Sequence, residues 1–141
     1  TVWTAGIDDG GLRTSPAVAD GTMYVPASSR RVCDGVGGED EPSCSGVTRG
    51  RLYAIDAGSG ERRWHAPIQT DTRSSPAVAG DVVYVGCRNG VSAVTTRGEP
   101  TWRIDFESSR DREPYVKSSP AVADGVVYVG ASDGRLRAIA E

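Results

Sequence analysis

The sequence predicts an all-β chain of repeated four-stranded antiparallel sheets, and three observations carry that expectation. One phrase occurs three times: Ser15-Pro-Ala-Val-Ala-Asp-Gly-Thr-Met-Tyr-Val25, Ser75-Pro-Ala-Val-Ala-Gly-Asp-Val-Val-Tyr-Val85 and Ser119-Pro-Ala-Val-Ala-Asp-Gly-Val-Val-Tyr-Val129. A second, interleaved phrase ends in tryptophan, at Trp3, Trp64 and Trp102. Turn dipeptides separate short β-branched runs, so no helix is needed anywhere. A period of about 40 residues built this way is the pattern of a β-propeller, in which each repeat forms one blade.

Each element follows from its own residues. Ser-Pro-Ala-Val-Ala is a short first strand that proline opens, where a missing N–H does least harm. Asp20-Gly21, Gly80-Asp81 and Asp124-Gly125 supply two-residue hairpin turns of the primed type. The second strand alternates, with Val83 and Val85 on one face and Tyr84 on the other, and with Val127, Tyr128 and Val129 repeating the arrangement. Asn89-Gly90 and Asp133-Gly134 mark the next turn. Third strands read Leu52-Tyr-Ala-Ile-Asp56, Val91-Ser-Ala-Val-Thr95 and Leu136-Arg-Ala-Ile-Ala140. Ala57-Gly-Ser-Gly60 then turns into a fourth strand that carries Trp64.

The whole of 1–141 reads as a single partial propeller. Its blades fall at about 12–66 with an insertion at 30–50, about 73–105, and about 117–141, the last needing a strand such as 1–7 from a neighbouring chain or blade. The insertion accounts for the surplus of about twenty by which the sixty residues between the first two Ser-Pro signals exceed the period of about forty. A smaller surplus makes Glu107–Lys117 a longer inter-blade loop, since Trp102 precedes Ser119 by seventeen residues whereas Trp64 precedes Ser75 by eleven. Such insertions gather at binding surfaces. Tyr115, with Arg110 and Arg112 beside it, is the candidate partner-contact group there.

Composition narrows the function classes. The formal charge of -3 offers no global basic field for nucleic acid. No window approaches the ~18 uninterrupted apolar residues of a membrane span. An opening at Thr1 without a basic-then-apolar leader is expected of a processed protein or an excised piece. Cys33 and Cys44 lie eleven apart in one Gly/Ser/acid-rich segment, close enough for a loop staple, and Cys87 reads as a buried free thiol. A disulfide would place the chain in an oxidising, extracytoplasmic compartment. Glu39-Asp40-Glu41 lacks the alternating oxygens of a calcium loop. Gly35-Val-Gly37-Gly38 does not satisfy a phosphate-binding pattern. His65 has no nucleophile pattern near it. Catalytic, cofactor-binding and metal-binding residues are therefore all expected to be none.

Ala54-Ile-Asp56-Ala-Gly-Ser-Gly60-Glu-Arg-Arg-Trp64 resembles the tryptophan-docking motif of the PQQ-type, quinoprotein-like β-propeller repeat. The resemblance implies structural roles for Ala54, Asp56, Gly60, Trp3, Trp64 and Trp102, with each indole packed between neighbouring blades. Ser59 stands where that motif has Thr. In the second copy Ala93 and Trp102 match, Thr95 replaces the Asp, and the turn is one residue shorter. Catalytic members carry eight blades, calcium and a quinone over a pair of adjacent cysteines, and this sequence has no such pair. PQQ and calcium are accordingly not expected. The non-catalytic scaffold members are the better relatives, which implies protein–protein interaction as the function; the alternative is a fragment of a PQQ/calcium-dependent quinoprotein dehydrogenase. Three blades are too few to close a ring of about 4–8. Either a second copy completes a six-bladed homodimer, or a longer chain supplies the remaining blades.

Overall fold

A computed structural model describes residues 2–7, 12–28, 32–34, 43–45, 50–68, 72–108 and 114–140. The described residues are strands and connections without helix, as the repeat predicts.

The first blade has the order β1 (Ala17–Ala19), β2 (Thr22–Ser28), then past two short strands to β5 (Gly50–Asp56) and β6 (Arg62–Ile68). The short strands, β3 (Val32–Asp34) and β4 (Ser43–Ser45), pair only with each other, so the insertion is a hairpin of its own that leaves from Ser28 and returns at Gly50. β7 (Ala77–Ala79), β8 (Val82–Cys87), β9 (Gly90–Thr95) and β10 (Pro100–Asp105) form the second blade. β11 (Ala121–Ala123), β12 (Val126–Gly130) and β13 (Leu136–Ala140) form a third sheet of three strands. All pairings are antiparallel. The short first strands of the three sheets lie side by side, with β7 between β1 and β11.

The primed turns form as read. Asp20 and Gly21 sit at φ 49° and 73°, and Asp124 and Gly125 at 50° and 77°. Positive φ at both loop residues is the type I′ pattern, and Gly80 at 57° followed by Asp81 is the II′ pattern. The next turn corrects the sequence reading. Cys87 pairs with Gly90, so the two loop residues are Arg88 and Asn89, and Gly90 belongs to β9. Its missing side chain serves a close approach: a Cβ there would lie 1.8 Å from the Ile104 carbonyl oxygen of β10.

Apolar residues form three layers. Tyr24, Leu52, Ala54 and Ala66 meet Val83, Val85, Cys87 and Val94 between the first and second blades. Tyr84, Val91, Ala93 and Phe106 meet Val116, Val127 and Val129 between the second and third. Val25, Ala27, Tyr53 and Ile55 form a layer on the far side of the first blade, under Trp3 and Ile7. Strands buried on both faces lose simple polar–apolar alternation, which is why β8 and β9 read as near-continuous apolar runs. Cys87 is a buried free thiol.

Candidate interaction surface

The tryptophan motif works as a latch between blades. The Trp64 indole N–H donates to the Thr96 carbonyl of the second blade at 3.2 Å, and its ring lies against Gly98, at φ 91°. Trp3 repeats the contact one blade earlier, donating to the Ala57 carbonyl at 3.1 Å with its ring on Gly60, at φ 78°. A Cβ at Gly60 would meet the Trp3 ring at 2.6 Å, and one at Gly98 would meet Trp64 at 2.9 Å. Both glycines therefore satisfy two demands, a left-handed backbone and a flat bed for an indole. Gly98 escaped the sequence reading because the shorter turn displaces it by one position from its Gly60 counterpart.

Asp56 fixes the first of these turns. Its Oδ1 accepts the N–H groups of Gly58 and Ser59, each at 2.9 Å, and its Oδ2 pairs with the Arg63 guanidinium. Arg63 and these two amides hold the Asp56 carboxyl down to about 2. Thr95 does the same work in the second blade, its hydroxyl accepting from Arg97 N at 3.3 Å and Glu99 N at 3.1 Å. The Asp-to-Thr departure in sequence thus keeps the turn's internal hydrogen bonds. Ala54 is fully buried opposite Trp64 in the β5–β6 ladder, where any larger side chain would crowd the layer that contains them.

Tyr24 and Tyr84 each lie beside the tryptophan of their own blade, with ring centroids 6.0 Å and 5.9 Å apart. The equivalent Tyr128 has no ring partner among the described residues and is 47% exposed. Ala121, Ala138 and Leu136 share its sheet and are exposed too, Leu136 at 90%. Their counterparts Leu52, Ala54, Val91 and Ala93 are buried. The third blade therefore presents, open to solvent, the apolar face that the first two use to bind a neighbour. Among the described residues β13 also has a free edge.

The long connections gather at one end of the blades. In an antiparallel sheet taken in this order, the second-to-third-strand turns and the inter-blade connections emerge at the same end. The insertion, the Arg88–Asn89 turn and the 106–120 connection all belong to it. Tyr115 is half-buried there, with Arg88 Cζ 5.3 Å and Lys117 Nζ 5.9 Å from its ring centre, and its N–H donates to Ser132 Oγ at 2.9 Å. Arg110 and Arg112 lie outside the described residues. The described C-terminal part of the loop is less solvated than its composition suggests. Pro114 and Val116 are buried, and a Cβ on Gly86 would collide with Val116 at 2.4 Å and Ser74 Oγ at 2.7 Å. Neither Gly86 nor Ser74, whose hydroxyl donates to the Ser118 carbonyl at 2.8 Å, carries a motif that sequence reading would single out. Cys33 and Cys44 are directly opposite in the β3–β4 ladder. His65 is exposed beside Tyr53, with ring centres 5.8 Å apart. A shallow groove of about 210 Å³ between β6 and β10 is lined by Pro67, Ile68, Pro100, Trp102 and Arg103.

The family model described as outer membrane protein assembly factor BamB matches residues 48–141, well over half of the chain. The chain belongs to this PQQ-like β-propeller family. Three solved structures show the same fold. A quinohemoprotein alcohol dehydrogenase from Pseudomonas putida HK5 is 24% identical, with a TM-score of 0.62 over 88% of this chain and 17% of its own. BamB from Moraxella catarrhalis is 16% identical, at 0.55 over 88% and 32%. A europium-containing methanol dehydrogenase is 19% identical, at 0.65 over 95% and 24%. The chain thus spans between 17% and 32% of the lengths of these proteins. No significant match was found among curated proteins.

The inner strands β1, β7 and β11 are each Ala-Val-Ala, without a carboxylate or amide. No three His, Cys, Asp or Glu side chains converge among the described residues. No helix among them is long and apolar enough to cross a membrane.

Proposed function

We propose that this chain is a non-enzymatic propeller module for protein–protein interaction or scaffolding outside the cytoplasm, without a bound cofactor. The observation that carries the reading is the match of residues 48–141 to the family model of an outer membrane protein assembly factor. The gathering of the insertion and the Tyr115 connection at one end of the blades supplies a contact region, where binding energy would fall on aromatic and arginine anchors.

The facing register of Cys33 and Cys44 supports a disulfide across β3 and β4. Directly opposed residues of an antiparallel pair have Cα atoms about 4.5–5.5 Å apart, within disulfide range. That bond would fit an oxidising compartment. The second reading, a piece of a quinone- and calcium-dependent dehydrogenase, is favoured by the likeness to the two dehydrogenase structures. Titration of the purified chain with calcium and PQQ, followed by absorbance, separates the two. The proposal expects no saturable uptake; stoichiometric uptake overturns it.

A further inference from the structure

We infer that the inner rim, at the end of the blades where the long connections gather, docks an acidic segment of a partner protein through Arg13, Arg73 and Lys117. The inference rests on the interaction-module reading and names the chemistry of its partner. The three cations occupy one position of the repeat, two residues before Ser15, Ser75 and Ser119, so each inner strand is entered from a basic residue. Each inner strand is left through an acidic turn residue, Asp20, Asp81 or Asp124. Between them the strands are uncharged Ala-Val-Ala. Opposite charges thus mark the two ends of the inner strands, a polarity that the formal charge of -3 conceals.

Neighbouring repeats are tied together at the level of these cations. The Ser15 N–H donates to Ser75 Oγ at 3.1 Å, and Ser74 Oγ donates to the Ser118 carbonyl at 2.8 Å. Arg13, Arg73 and Lys117 stand one or two residues before the linked serines, so they line up across the entries to β1, β7 and β11. All three are exposed. Their neighbours direct them outward. Thr72 and Ser74 bracket Arg73 at 2% and 0% exposure, and buried Val116 precedes Lys117. The Val116 N–H donates to the Cys87 carbonyl at 3.3 Å and Ser118 Oγ to the Gly130 carbonyl at 3.2 Å, which anchors the backbone on both sides of Lys117.

Arg88 extends the row, since it and Lys117 flank the Tyr115 ring. The described carboxylate side chains at this end, Asp105, Glu107 and Asp133, belong to positions beyond the inner strands; Asp105 pairs with Arg103 and Asp133 with Arg137. Guanidinium forks hold carboxylates through two parallel hydrogen bonds. With one cation per blade, an extended segment bearing several carboxylates matches the row, and a single small anion does not. Tyr115 gives such a segment an aromatic anchor at the margin. A nucleic acid would need a basic field well beyond the rim, and the chain as a whole carries -3.

The test titrates the full chain into a dye-labelled oligo-glutamate peptide, without calcium or quinone, at about 50 mM salt, where screening is modest. A saturable rise in anisotropy is expected below about 1 mM chain, lost at high salt and absent with oligo-glutamine of the same length. Arg73→Glu and, separately, Lys117→Glu are each expected to weaken binding about tenfold while leaving the far-ultraviolet spectrum unchanged. Arg97→Glu makes the same charge change in an exposed turn at the opposite end and should alter binding by less than about twofold. No saturable binding, binding indifferent to both rim variants, or an equal loss with Arg97→Glu overturns the inference. Tighter binding of an oligothymidylate of matching charge overturns it in favour of a nucleic acid. A failure here leaves the quinone titration to decide the interaction-module reading separately.

Discussion

Replacing Gly98 by alanine probes the latch between blades, and Gly125 supplies the control. Both glycines have positive φ, 91° and 77°. An L-residue in that region costs about 1–2 kcal/mol, offset by about 0.4–1 kcal/mol of freedom removed from the unfolded chain. Around Gly125 a Cβ meets nothing within 4 Å, so Gly125→Ala should cost about 1 kcal/mol or less. At Gly98 the added carbon would sit 2.9 Å from Trp64 Cδ2 and 3.1 Å from Cγ, inside van der Waals contact with the ring. The indole must back away from its bed, stretching the N–H bond to Thr96. Overpacking of this kind costs about 1–3 kcal/mol. Gly98→Ala is therefore expected to exceed Gly125→Ala by about that amount in urea unfolding followed by tryptophan fluorescence. Equal losses, within about 0.5 kcal/mol, would refute the claim that Trp64 rests on this glycine.

Other outcomes follow from the same contacts. Gly90→Ala drives a carbon into the β10 backbone rather than into a movable side chain, so it should cost about 3 kcal/mol or more and lower the yield of folded protein. Asp56 and Asp133 titrate near 2 in the folded chain against an ordinary 3.8, each held by an arginine first. Their depressed values mean stability that is complete above about pH 4 and is lost as pH falls toward 2. Asp56→Asn should flatten the stability profile in that window, and an unchanged slope would contradict the ion pair with Arg63. Thiol counting in denaturant without reductant should find one group, Cys87; reduction should raise the count to three and destabilise the chain by roughly 2–3 kcal/mol. Three thiols before reduction would sink the Cys33–Cys44 bridge.

Much of the architecture was legible because its signals are local. Asp20-Gly21 and Asp124-Gly125 specify their turns through backbone conformation alone, and the structure places positive φ at all four residues. The spacing of Trp3, Trp64 and Trp102 reports a repeated partner, and two of the three indoles sit on the turn glycine of the following blade. Signals that depend on another strand were misread or missed. Gly90 looks like half of an Asn-Gly turn, yet Ile104, fourteen positions on, dictates its lack of a side chain. Gly86 answers to Val116 and Ser74, which no local motif announces. Thr95 looked like a lost Asp until its hydroxyl was seen capping the same turn. The exposure of Tyr128 is not written in its local sequence, which matches that around the buried Tyr84; only the count of strands, which leaves the last blade one short, pointed to it.

The most direct test is a nuclear Overhauser measurement between the tryptophan indoles and the turn glycines. With each ring lying against the glycine of the next blade, Trp64 ring protons should cross-relax with Gly98 Hα and Trp3 ring protons with Gly60 Hα. Those Hα resonances should also be displaced upfield by the ring current. Gly98 and Gly60 at ordinary shifts, with no contact to either indole, would mean that the blades are not latched in this way.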